Sequence, residues 1–262
     1  MIKLSACIEM LFGEHSFDER FAAARASGLG AVEFWGWENK NIPAIAKRLE
    51  ENELALAAFC VGSRDAAVSA EWNNKKLSDR SGIPAFIAAV RESIATANLL
   101  NCKTLIVTCG QQRDDITRYE QHTILVLALR AAAPIAEQAG VTLVLEPLNV
   151  LHNHRGYFLS SSYEAFGIVE EVGSPAVKVL YDVYHQQISE GNIIPTIRKY
   201  AELIGHMHIA DVPGRNQPGT GELNYRNIFA AVDGTGYGGY MGMEFSPVGS
   251  SSDAAKETLA LV

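Results

Sequence analysis

The chain has 262 residues, 48% of them apolar and 20% charged, with a formal net charge of −8. That length allows a large buried core, and the acidic balance gives no attraction toward phosphate backbones. No lysine or arginine run marks a nucleic-acid surface, and no apolar run approaches the roughly 20 residues needed to span a bilayer.

The start, MIKLSACIEMLFGE, is interrupted by Glu9 and lacks the apolar core and cleavage site of a signal peptide. A cytoplasmic protein is expected. Cys7, Cys60, Cys102 and Cys109 form no CxxC pair, and three lie in apolar runs. They read as buried free thiols of a reducing compartment.

Short apolar or β-branched runs then alternate with longer helical patterns. In chain order the strand candidates are KLSACIEM, AVEFW, LALAAFCVG, TLIVTCG, VTLVLEP, VKVLYD, LIGHMHIA and YMGMEF. The helical patterns between them include FDERFAAARASG, IPAIAKRLEENE, PAFIAAVRESIATANLLN, LVLALRAAAPIAEQAG, SSYEAFGIVEEVG, NIIPTIRKYAE and NYRNIFAAVDGTG. Several close on glycine or asparagine, as helix C-termini do, and Ser161 or Ser162 suits the N-cap of YEAFGIVEEV. This alternation predicts an α/β fold of parallel units, a (β/α)8 TIM barrel built by residues 1–262 as a single domain. A doubly wound open sheet usually has a glycine-rich turn after its first strand, and MLFGEHSF has no GxGxxG. The polar segment GSRDAAVSAEWNNKKLSDRSG (62–82) is expected to be a long loop over the barrel mouth, either a lid or substrate-contact segment or a variable surface loop. Trp72 is its only large aromatic residue.

Four of the later runs close on metal-ligand side chains: Glu146 in VTLVLEP, Asp182 in VKVLYDVYH, His208 in LIGHMHIAD and Glu244 in YMGMEF. The C-terminal strand ends of a barrel converge on one face, so these residues should meet there. Three anions around one point are costly unless a cation neutralises them. The pattern therefore predicts one divalent metal ion. Oxygen-rich ligation favours Mg²⁺ or Mn²⁺, and the single nitrogen leaves Co²⁺ or Zn²⁺ open. The lack of thiolate ligands argues against a structural zinc.

His206 shares strand parity with His208 and reads as a hydrogen-bonded histidine inside the barrel or one that supports a ligand. His152 and His154 follow Glu146 in a loop that either contacts substrate or is merely exposed. His185, three residues after Asp182, is expected to bind a substrate oxygen or stabilise developing negative charge. Arg215, in DVPGRNQPGTGELN, suits a substrate carboxylate or hydroxyl. Glu222 in the same loop is left outside the catalytic set.

FDERFAAARASGLGAVEFWG, LVLEPLN, YFLSSSYEAFGIVEEVG, YDVYHQQISEGN, HIADVPGRNQPGTGELNY and GMEF together span nearly the whole chain. In these segments it resembles the hydroxypyruvate isomerase group of the xylose-isomerase-like barrels, which also include the ketose 3-epimerases and endonuclease IV. The resemblance implies that Glu146, Asp182, His208 and Glu244 bind the metal. It implies that Glu146 and Glu244 move protons and that His185 and Arg215 contact substrate. The implied reaction converts hydroxypyruvate to tartronate semialdehyde through an enediolate. One departure opens an alternative: that group carries glutamine at the position of His208, whereas ketose 3-epimerases carry histidine. A non-catalytic barrel that binds a sugar acid is the alternative of another class. Endonuclease IV has extra histidines after its third and fourth strands, where this chain has AAFCVG and IVTCG. The expected partner is therefore a small keto acid or ketose, with no nucleic acid or membrane. Barrel relatives often pair, so a homo-oligomer is compatible.

Overall fold

The computed structural model describes residues 2–262. Nine strands form one all-parallel sheet: β1 (Lys3–Cys7), β2 (Ala31–Glu33), β3 (Ala55–Leu56), β4 (Phe59–Cys60), β5 (Thr104–Val107), β6 (Thr142–Leu145), β7 (Val177–Asp182), β8 (Ile204–Ile209) and β9 (Tyr240–Met243). Their spatial order is β3-β2-β1-β9-β8-β7-β6-β5-β4. The two edges of this order, β3 and β4, are separated only by Ala57 and Ala58. Ala57 N donates to Val32 O at 2.8 Å on one side, and Val61 N donates to Ile106 O at 2.9 Å on the other. Residues 55–60 thus act as one barrel strand in two pieces, which closes the sheet into the eight positions of a (β/α)8 TIM barrel.

Local chemistry explains the helices that wrap the barrel. Asn41 accepts from Ala44 N at the start of Ile42–Glu51, and Thr117 forms a capping box with Glu120 at the start of Arg118–Ala139. Ser161, rather than Ser162, caps Ser162–Val172. Gly140 and Gly173 end their helices at φ 63° and 71°, a conformation that costs glycine nothing.

The 62–82 segment departs from expectation. It contains a helix, Ala66–Lys75, capped by Asp65, and a 3₁₀ turn, Arg80–Gly82. Trp72 is buried, stacks on Phe86 and donates its indole N–H to Val61 O at 3.2 Å. It anchors this segment to the end of β4 instead of reaching for substrate.

Inside the barrel the lining is divided. Ala58, Ile106, Val144 and Leu180 form an apolar cluster with Cys60 packed against it. On the opposite wall Ser5, Glu33 and His206 are buried. Side chains two residues apart on a strand share a face. Val144, Leu180, His206 and Gly242 therefore lie one layer beneath Glu146, Asp182, His208 and Glu244. Among the described residues, no helix is long and apolar enough to cross a membrane.

Candidate active site at the C-terminal mouth

Glu146 follows β6, Asp182 ends β7, His208 lies in β8 and Glu244 follows β9. All four are buried, and each offers a ligand atom within 4.8 Å of the others. His208 Nδ1 faces Glu146 Oε1 at 3.4 Å, Glu244 Oε2 at 3.4 Å and Asp182 Oδ2 at 4.0 Å. Despite these short distances, Nδ1 has no hydrogen-bond partner. An imidazole nitrogen aimed among three carboxylates without a hydrogen bond is what a divalent cation would bridge. The donor set therefore fits the expected metal.

Charge in the site is strongly coupled. Burial alone would lower the His208 imidazole, but the carboxylates of Glu244 and Glu33 raise it well above its ordinary value. Burial likewise works against the Glu244 carboxylate, but His208, Arg215 and the indole of Trp35 hold it below the usual range. Burial raises Asp182, and Arg215 and His208 only partly counter it.

The two glutamates differ in their partners. Glu244 accepts from Arg215 Nη2 at 2.5 Å and from Trp35 Nε1 at 2.8 Å. No comparable side-chain donor reaches the Glu146 carboxylate among the described residues. His208 Nδ1 is its polar neighbour, outside hydrogen-bond geometry.

A cavity of about 290 Å³ opens above these groups, lined also by Trp35, Cys60, Leu148, His154, His185 and Arg215. Its size suits a ligand of a few carbons. His185 sits on the short helix Val183–Ser189, whose N-cap is Asp182. The Asp182 carboxylate thus accepts the His185 backbone N–H at 3.1 Å while also facing the cluster. Burial pushes the His185 imidazole down to about 3, so it is neutral at physiological pH. Its Nε2 is buried without a hydrogen bond among the described residues, 3.6 Å from Asp182 Oδ2. Of the loop histidines, His154 is half-buried and meets the His185 ring at 5.2 Å, whereas His152 is exposed. Glu222 is exposed, outside the cavity lining. All four cysteines are free, and Cys60 alone reaches the cavity.

Other groups in the site went unread in the sequence. Glu33, at the end of β2, bonds Ser5 Oγ at 2.8 Å and His206 Nε2 at 2.9 Å. A glutamate inside the apolar run AVEFW was the available signal, because an acid there must find a partner. Gly242 gives it room: a β-carbon at that position would lie 2.2 Å from Glu33 Oε1. Asp211 organises the loop carrying Arg215 by accepting the backbone N–H groups of Val212, Gly219, Gly221 and Leu223. Nothing in the sequence distinguished Asp211 from an ordinary turn aspartate.

A closed parallel barrel with acid, imidazole and guanidinium groups gathered at its C-terminal mouth defines a TIM-barrel enzyme. The chain belongs to the xylose isomerase-like TIM barrel family, whose model matches residues 21–262. It is 33% identical to a 2-oxo-tetronate isomerase of Cupriavidus necator over 253 residues, covering 96% of this chain and 95% of that one. It is 32% identical to the hydroxypyruvate isomerase of Escherichia coli, covering 94% of each chain. Among solved structures, an AP endonuclease, family 2, from Brucella melitensis superposes with a TM-score of 0.88 at 30% identity and covers 99% of both chains.

Proposed function

We propose that this protein is a metal-dependent isomerase of small 2-keto acids, converting hydroxypyruvate to tartronate semialdehyde or acting on a four-carbon homologue. The observation that carries this reading is the convergence of Glu146, Asp182, His208 and Glu244 beneath a small cavity that also holds Arg215 and His185. The names of the two relatives support the substrate class. Oxygen-rich ligation favours Mg²⁺ or Mn²⁺, with Co²⁺ or Zn²⁺ compatible. A cytoplasmic setting is supported by the four free thiols.

In this mechanism Glu146, Asp182, His208 and Glu244 hold the ion. When bound, it supplies Lewis-acid polarisation of the substrate carbonyl, which acidifies the neighbouring C–H. Arg215 turns from Glu244 to the substrate carboxylate, a planar anion matched to its fork of N–H groups. One glutamate removes a proton from C3, leaving an enediolate. Return of a proton at C2, with the hydroxyl proton moving from O3 to O2, gives the aldehyde. Glu146 is the readier base, because Glu244 still accepts the Trp35 indole N–H when Arg215 has turned to the substrate. His185 donates to the oxygen on which negative charge develops.

The test is NMR of hydroxypyruvate, a four-carbon 2-oxo acid and a ketose panel in deuterated water with the Mg²⁺-loaded protein. Deuterium should enter at C2 of tartronate semialdehyde, with depletion at C3 of the substrate. Exchange only at C3 of ketoses would establish the second reading, a ketose 3-epimerase, which His208 favours. A nuclease reading, suggested by the Brucella neighbour, sits poorly with a net charge of −8.

A further inference from the structure

The two nitrogens of His185 live in opposite surroundings. Nε2 is buried in the mouth of the barrel, 3.6 Å from Asp182 Oδ2, and makes no hydrogen bond among the described residues. Two nitrogens of Asn149 converge on Nδ1: the side-chain Nδ2 at 2.6 Å and the backbone N at 3.3 Å. The far end of the Asn149 amide fixes which way it points. Its Oδ1 faces the backbone N of His152 at 3.0 Å and of Asn153 at 3.4 Å. A backbone N–H can only donate, so the atom facing it must be the oxygen. The second hydrogen on Nδ2 goes to Asn153 Oδ1 at 3.1 Å, which Tyr184 OH also meets at 2.9 Å. Asn149 is fully buried, so a flipped amide would leave these amides facing a donor, with no water to relieve them.

A ring nitrogen that receives N–H donors must offer a lone pair. A proton on Nδ1, in either the other tautomer or the imidazolium, would set hydrogen against hydrogen. The one N–H of the ring therefore lies on Nε2. We infer that Asn149 is a positioning residue: it holds His185 in the Nε2–H tautomer, making that imidazole an obligate hydrogen-bond donor into the cavity. This rests on the isomerase reading only for the identity of the oxygen that receives the bond. Such a donor is pre-aimed, so little reorganisation is needed as negative charge grows on the substrate.

The experiment is long-range ¹H–¹⁵N correlation NMR on the ¹⁵N-histidine-labelled, Mg²⁺-loaded protein. The His185 signals are identified by their loss in His185→Gln. The wild type should show an unprotonated Nδ1 and a protonated Nε2. Asn149→Asp keeps an acceptor for the His152 and Asn153 amides but presents an acceptor to Nδ1. The His185 proton should then appear on Nδ1, and kcat should fall on the order of 10²–10³-fold with KM little changed. A protonated Nδ1 in the wild type would overturn the inference. So would an Asn149→Asp variant with the wild-type tautomer and wild-type kcat. If that variant does not fold, the wild-type spectrum decides alone. Lack of any turnover by the wild type would instead reject the isomerase reading, and the tautomer would still be settled by the spectrum.

Discussion

Glu33 Oε1 lies 2.9 Å from His208 Nε2, on the far side of the imidazole from the three carboxylates. The residues come from β2 and β8; the contact is an ion pair outside hydrogen-bond geometry, on the ring edge opposite the Nδ1 that faces Glu146, Asp182 and Glu244. Burial opposes ionisation of Glu33, but His208 and His206 hold its carboxyl down at about 2. A carboxylate behind a ligating histidine is a common device for fixing the ring and raising its basicity.

Glu33→Gln should therefore weaken metal binding by about 10–100-fold. Calorimetric titration of the metal-free protein with Mn²⁺ measures this directly. Unchanged affinity would mean that Glu33 only fills the barrel.

Gly242→Ala tests the same layer from a strand of the same wall, β9, which lies between β1 and β8. Its β-carbon would overlap the Glu33 carboxylate, so either the acid or the strand must shift. Overpacking of this kind costs about 1–3 kcal/mol. Urea unfolding should show that loss, together with weaker metal binding. A variant as stable as the wild type would show that the Glu33 side chain moves aside freely.

Glu146→Gln and Glu244→Gln should each remove at least about 10²–10⁴-fold of turnover while leaving a folded protein. Their failures should differ. Glu244→Gln also removes the anion that Arg215 must leave to reach the substrate, so its KM should lie below that of Glu146→Gln while kcat falls in both. Glu146→Gln has no such pair to lose. Normal turnover in either variant would reject its role in proton transfer, with circular dichroism as the control for folding.

His185 gives a pH signature in stability. Its folded value of about 3 lies below the ordinary 6.5, so below 6.5 the unfolded chain binds a proton that the folded chain refuses. Its contribution is fully present above pH 6.5 and is lost as pH falls toward 3, by at most about 1.4 kcal/mol per pH unit. The metal-free wild type should therefore lose stability more steeply than His185→Gln across that window. Denaturant midpoints of the two proteins at matched pH measure the difference. Parallel curves would show that His185 takes up its proton in the folded state.

Some of this was legible in the residue order. A strand alternates faces every residue, so an apolar run that ends on an acid or imidazole announces both a barrel position and a mouth-facing group. Glu146, Asp182, His208 and Glu244 were readable for that reason, as were the caps Ser161, Gly140 and Gly173. The helix Ala66–Lys75 was missed because its apolar residues are mostly alanines that mark no buried face. Trp72 is its one buried residue, and a single aromatic sets no period.

Residue order settles what is local: which segments extend, which coil, and which side chains stand at the strand ends. Which of these groups meet is set by how the strands assemble in three dimensions. Glu33 reaches His206 across 173 positions of chain, and Asn149 reaches His185 across 36. Asn149 and His185 meet because β6 and β7 are parallel neighbours, and Glu33 and His206 because the sheet curls β2 and β8 around one axis. Distances across a barrel depend on register and closure, properties of the whole sheet that no single segment encodes.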